Sequence, residues 1–145
     1  MIEERPSIGL GHDDMARQHR AVRIEVSELR AMIDSCRATQ RTDAYRHMLA
    51  VLVGRLRERL ILHFEIEEEG AHVAHLRTAH PGLAGDLDRF AGEHAALLAE
   101  GASLAIQLRT PNAPPNAEAR TMQWLDALRH HEEGEAQFLA ALGTD

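Results

Sequence analysis

Leu60-Ile61-Leu62-His63-Phe64-Glu65-Ile66-Glu67-Glu68-Glu69 is the stretch that decides how the chain folds. A histidine and a glutamate four residues apart lie one above the other on a helix face, so His63 and Glu67 can reach one common ion. Upstream the same face continues through Leu49, Leu52, Leu56 and Leu60, and downstream it reaches Gly70, always in steps of three or four. Such spacing predicts an amphipathic helix whose inward seam passes from leucine to histidine and carboxylate.

Three further stripes have the same period. Met15, His19, Val22, Val26, Leu29, Ile33 and Cys36 form the first, with Asp13 as its predicted N-cap. After the polar break at Ala38-Thr39-Gln40-Arg41, Thr42 or Asp43 caps the helix that carries His63. Its arginines Arg55, Arg57 and Arg59 are expected to face outward. His80-Pro81 must end that helix, because the residue before proline is pushed out of helical geometry, while Pro81 suits the first turn of the next. The third stripe is Leu83, Leu87, Phe90, His94, Leu97, Gly101, Leu104 and Leu108. Pro111, Pro114 and Pro115 mark a loop, Asn116 is a cap, and Trp124, Leu128, His131, Glu135, Phe138 and Leu142 form the fourth stripe. The expected fold is all-α, an up-down-up-down antiparallel four-helix bundle in one domain over residues 1–145, with helices near 13–38, 43–78, 82–109 and 116–142.

Composition restricts the partners. A net charge of −7 with histidine neutral argues against nucleic acid or an anionic membrane. No run of 18 apolar residues is present, so no membrane-spanning helix is expected. Cys36 is the single cysteine, which rules out an intramolecular disulfide and a cysteine-rich zinc site. The start of the chain, Met1-Ile2-Glu3-Glu4-Arg5-Pro6, does not resemble a secretion signal, and a cytoplasmic location is expected. The compositional oddity is ten histidines.

Counting along the helices places four of those histidines at one height. His19 lies 19 residues before Ala38, and His63 lies 20 after Asp43. His94 is 15 residues before Arg109, and His131 is 14 after Ala117. At about 1.5 Å per residue each pair agrees to within a turn. A lone histidine on an apolar face is usually a satisfied core residue. Four imidazoles at one level with Glu67 and Glu135 would be costly to bury unless paired or metal-bound. The set His19, His63, Glu67, His94, His131 and Glu135 is therefore the candidate metal site. Its nitrogen and oxygen donors suit iron, manganese or zinc better than copper(I) or an iron–sulfur cluster. Six ligands exceed one tetrahedral zinc and suit two adjacent ions, with Glu67 and Glu135 bridging, two histidines on each ion, and positions left open for a small ligand.

His19, His63-x-x-x-Glu67, His94 within Glu93-His94-Ala95-Ala96-Leu97, and His131-x-x-x-Glu135 resemble the hemerythrin-like HHE cation-binding family over about Asp13 to Leu142. The resemblance implies a non-haem centre of two iron ions, ahead of zinc or manganese, bridged by carboxylates and an oxo or hydroxo group. It implies binding, sensing or reaction of dioxygen, nitric oxide or peroxide, and alternatively an iron-responsive or iron-centre repair module without gas-binding turnover. A metal- and small-ligand-binding protein ranks ahead of a dedicated enzyme. Two positions depart from the oxygen carriers of the family: Phe90 stands where they have a further histidine, and the last carboxylate follows His131 by four residues instead of five. The site is more similar to four-histidine, two-glutamate centres of the iron-repair and iron-sensing branches. Glu-x-x-His pairs of ferritin-like bundles are not repeated here; Glu69-Gly70-Ala71-His72 is the single instance.

The remaining polar residues receive lesser roles. His130 is expected on a neighbouring helix or in solvent, His12 as a lid or surface residue, His47 exposed, and His72, His75 and His80 as surface histidines ahead of a secondary metal site. Glu68, Glu132 and Glu133 flank the seam, as hydrogen-bond partners of the imidazoles or as a solvated face. Tyr45 and Cys36 fall at the far end from the histidine layer.

Overall fold

The structure, a computed structural model, describes residues 12–37, 39, 41–111 and 116–142, with side chains from Arg17 onward. The readings of Met15 and His12 as side chains, of Ala38, and of Pro114 and Pro115 fall outside what is described. Five α-helices are present among the described residues: α1 (His12–Ser35), α2 (Asp43–Glu69), α3 (Ala71–Ala79), α4 (Ala84–Arg109) and α5 (Ala117–Ala141). The four long ones form a four-helix bundle. α2 packs against α1 and α4, and α5 packs against the same two, so α2 and α5 stand diagonally across the interior.

Apolar residues at helical spacing explain this arrangement. Val22, Val26, Leu29 and Ile33 of α1 meet Leu49, Val53, Leu56 and Leu60 of α2, Leu97, Leu104 and Leu108 of α4, and Trp124, Leu125 and Leu128 of α5 in one buried cluster. Fully burying each such side chain contributes about 1.5–3 kcal/mol relative to exposure. The cluster fills the half of the bundle nearest the α1–α2 and α4–α5 connections. Thr42 caps α2 by accepting a hydrogen bond from the Tyr45 amide at 3.1 Å. Arg57 does not face simply outward: its Nε donates to the Leu98 carbonyl of α4 at 2.8 Å.

Several helix ends differ from the sequence reading. α1 begins at His12, so Asp13 lies within the helix and is not its cap. Asn116 precedes α5 without a side-chain capping bond. The expected continuous helix to residue 78 is broken at Gly70, whose backbone is extended at φ −71° and ψ 164°. Its amide still donates to the Ile66 carbonyl at 2.8 Å, and a Cβ placed there would lie 2.5 Å from that oxygen. α3 therefore leaves the α2 axis. Pro81 opens a 3-10 turn, Pro81–Leu83, and the α-helical geometry of α4 starts only at Ala84.

Gly101 of α4 lies beneath the Trp124 ring of α5. The Trp124 indole donates to the Leu97 carbonyl at 2.8 Å and lies over Gly101, where a Cβ would come within 2.7 Å of the ring. Gly101→Ala is expected to destabilise by about 1–3 kcal/mol through overpacking. Gly92→Ala, in the same helix with open space around its Cα, is expected to stabilise by about 0.5–1 kcal/mol. Denaturant unfolding of both variants checks the opposite signs.

Candidate metal centre

Where the leucine seam ends, histidine and glutamate fill the interior. His63, His94 and His131 are buried, as are Glu67, Glu132 and Glu135, while His19 is nearly so. The imidazoles meet in pairs: ring centres of His19 and His63 are 4.8 Å apart, and those of His94 and His131 are 4.7 Å apart. The four histidines and two glutamates singled out from the sequence are thus brought to one layer. Phe90 and Phe138 close that layer on the side away from the leucine core.

Two overlapping groups have ligand atoms within 4.8 Å of one another: His19, His63, Glu67 and Glu132, and Glu67, His94, His131 and Glu135. Glu67 is common to both. Its carboxylate lies 2.9 Å from His19 Nε2, 3.2 Å from His63 Nε2 and 3.3 Å from His94 Nε2. Glu135 lies 3.0 Å from His94 Nε2 and 3.3 Å from His131 Nε2. Glu132 approaches the other pair, 3.6 Å from His19 and 3.8 Å from His63.

Each half of the site follows one local rule. The residue after the histidine of a His-x-x-x-Glu pair also points inward. After His131 that residue is Glu132; after His63 it is Phe64, whose ring stacks on His94 at 3.9 Å and 6°. The first group consequently takes its own carboxylate from the residue after a histidine, Glu132, whereas the second takes Glu135 from the fourth residue after one and has the Phe64 ring as a wall. Glu132 is buried interior, in place of the flanking role read from the sequence, and its neighbour Glu133 is exposed.

The outer nitrogens of three imidazoles are held in turn. His63 Nδ1 is 2.8 Å from Gln18 Oε1, His94 Nδ1 is 2.7 Å from Glu68 Oε2, and His131 Nδ1 is 2.6 Å from Glu93 Oε1. An Nδ1–H donated outward leaves the Nε2 lone pair facing inward, the arrangement a metal-ligating histidine requires. Of these partners only Glu68 was considered in the sequence. Gln18 and Glu93 each precede a histidine of the site, yet serve the histidine of the adjacent helix.

Electrostatics reflect the crowding. Burial opposes a charge on His94, but the carboxylates of Glu135, Glu67 and Glu68 around it outweigh that and raise its pKa to about 10. Burial likewise opposes a charge on His19 and His131, yet the adjacent carboxylates of Glu67 and Glu135 respectively hold both above the ordinary imidazole range. Burial would raise Glu67, but the hydrogen bond with His19 and the close imidazoles of His63 and His94 hold it well below the usual carboxylate range. Glu132 goes the other way, pushed up to about 7 by burial and by the charge of Glu67.

Those contacts still leave orphans. His63 Nε2, His131 Nε2, Glu67 Oε1, Glu135 Oε1 and both Glu132 oxygens are buried with no hydrogen-bond partner. Unsatisfied buried groups of this kind cost about 1–3 kcal/mol each, more for charged ones. All of them belong to residues of the two overlapping groups, and their donor set of imidazole nitrogen and carboxylate oxygen fits divalent or trivalent first-row metals. Outside this layer the histidines are less engaged: His47, His72, His75, His80 and His130 are exposed, and none belongs to a further metal-capable cluster among the described residues.

No helix among the described residues is long and apolar enough to cross a membrane. No curated protein and no solved structure matches the chain. The sequence model of the hemerythrin HHE cation binding domain, in contrast, matches residues 10–142, so its span includes every residue of the layer. The chain belongs to the hemerythrin HHE cation-binding domain family.

Proposed function

We propose that the histidine–glutamate layer holds two iron ions, in preference to zinc or manganese, and that the centre binds, senses or reacts with a small ligand such as dioxygen, nitric oxide or peroxide. The observation that carries this reading is the presence of buried, unpartnered Nε2 and carboxylate oxygen atoms on residues of the two overlapping groups. His19, His63 and Glu132 would hold one ion, His94, His131 and Glu135 the other, and Glu67 would serve both, being part of each group. When bound, the pair of irons supplies redox chemistry and sites for a small ligand.

The chain's own residues do the rest. Gln18, Glu68 and Glu93 fix the ring orientation and tautomer of three imidazoles. Glu67, held ionised, supplies negative charge between the two positions, as the donor set for cations requires. Phe64 and Phe90 pack against His94 and His131 and give that side apolar walls. Each half has two histidines, one carboxylate of its own and a share of Glu67, and the cavity-facing His94–Glu135 half is the side open to a small ligand.

An iron-responsive interaction module is the second reading. It is favoured by Glu132, whose burial beside Glu67 is unfavourable until a cation compensates it, so that metal loading would tighten the bundle. A cytoplasmic setting, with no nucleic acid or membrane partner, accompanies both readings and is supported by the acidic net charge and single cysteine.

Elemental analysis of protein produced in iron-supplemented medium tests the proposal. Close to two irons per chain are expected, with a near-UV charge-transfer band and a higher melting temperature than the chelated protein. Zinc as the sole metal, or less than one metal per chain after iron loading, would overturn it.

A further inference from the structure

Beyond the metal layer, the break at Gly70 leaves a cavity of about 600 Å³ between α3 and the ends of α2, α4 and α5. Leu76, Phe90, Ala91 and Phe138 form apolar walls, and Glu67, His94 and Glu135 form part of its polar lining. Its volume falls within the roughly 300–1,000 Å³ of small-molecule sites and far exceeds what a diatomic ligand fills. α3 packs on α2 and on the 3-10 turn, and an ion pair from Arg77 to Asp88 at 2.9 Å ties it to α4. Both partners of that pair are well exposed, so it contributes little, and α3 can yield to an entering molecule.

We propose that this cavity binds a neutral organic molecule with an apolar body and one hydroxyl group, a phenol or a medium-chain alcohol, whose oxygen reaches the Glu67–His94–Glu135 end. The walls select the body by burial of apolar surface. Glu67 and Glu135 are more than nine-tenths buried, line the cavity, and each retain one oxygen without a hydrogen-bond partner. Those oxygens accept from a hydroxyl and repel an anionic head, which sets the preference for a neutral donor over a carboxylate. The inference deepens the metal-centre reading by naming what the open side of that centre admits, yet the binding itself relies on cavity and carboxylates alone.

Calorimetric titration with 2-naphthol, naphthalene and 2-naphthoate tests it, on metal-free and iron-loaded protein in parallel with metal analysis. Saturable one-to-one binding of 2-naphthol is expected, at least about tenfold tighter than that of naphthalene or 2-naphthoate in the metal-free protein. Ala91→Trp, which fills the cavity, should weaken 2-naphthol binding at least about tenfold, whereas Val51→Trp on an exposed apolar position of α2 should not. Circular dichroism confirms that each variant is folded, and if Ala91→Trp is not, Phe138→Ala, which removes a wall, takes its place with the same expected loss. No saturable binding of 2-naphthol, binding unaffected by the cavity variant, or binding equally weakened by Val51→Trp would each overturn the proposal. Iron bound without 2-naphthol defeats the cavity reading alone; 2-naphthol bound without iron defeats the metal reading alone.

Discussion

Glu67→Ala is expected to abolish stoichiometric iron binding at both positions, taking the metal content from about two per chain to well below one. Among the described residues no other carboxylate reaches both halves of the layer: Glu67 lies within 3.3 Å of His19, His63 and His94, whereas Glu132 meets only the first pair of histidines and Glu135 only the second. Glu132→Ala should therefore weaken one position and spare the other, with a content nearer one iron. Glu93→Ala leaves every inward-facing donor in place and removes the partner of His131 Nδ1 together with an exposed contact to Arg89, so a loss of about 10–100-fold in affinity is expected there. Metal titrations of the three variants, with circular dichroism to verify folding, check the ranking. Equal losses for Glu67→Ala and Glu132→Ala would contradict the shared role of Glu67.

The second large effect is a reversal of pH dependence on metal loading. In metal-free protein, His94 has a folded pKa near 10 against 6.5 for an ordinary imidazole. The folded state thus binds more protons than the unfolded state between those values, and stability must fall as pH rises through the window. His19 and His131 shift in the same direction and add to that slope. Glu132, raised to about 7 from 4.5, also favours the protonated folded state and begins the decline at lower pH. Glu67 acts oppositely: its depressed pKa contributes stability above the ordinary carboxylate range that is lost as pH falls through its folded value, giving the acid limb.

Metal ions compete with protons for the same atoms, since bound imidazoles must be neutral at the coordinating nitrogen and Glu132 must be ionised. The melting temperature of metal-free protein should drop by several degrees between about pH 6.5 and pH 9, while the increase conferred by iron grows over the same range. Scanning calorimetry of chelated and iron-loaded samples measures both slopes. A metal-free melting temperature that rises with pH, or an iron-induced gain that shrinks, would count against the assigned charge states.

Much of the site was legible because helical periodicity is rigid. His63 and Glu67 share a face whatever the tertiary packing, and matched counts from each loop set His19 level with His63 and His94 level with His131. Glu132 was not legible in this way. It sits one residue, about 100° of helical rotation, from His131, so a stripe-based reading assigns it outward. At the metal layer, however, the interior is wide enough to admit two adjacent residues of one helix, as both Phe64 on α2 and Glu132 on α5 demonstrate by their burial. Gln18 and Glu93 escaped for a related reason: each serves a histidine on another helix, a pairing that depends on how the helices are rotated. The cavity was hidden too. Gly70 marked a weak point, but only the departure of α3 from the α2 axis creates the space beside Glu67 and Glu135.

Phe64 and Glu132, the residues after the two His-x-x-x-Glu histidines, give the layer its asymmetry. An apolar ring faces His94 and the Glu132 carboxylate faces His19, so the two halves differ in their walls even though each has two histidines and two carboxylates. The half beside Phe64, Phe90 and the cavity suits ligand entry.

An anomalous-difference map of iron-loaded crystals, collected on both sides of the iron edge, tests the metal centre most directly. Two iron peaks are expected within the layer, one beside His19, His63 and Glu132, the other beside His94, His131 and Glu135, with Glu67 touching both. A single peak, or iron bound only among the exposed histidines His72, His75 and His80, would contradict the assignment.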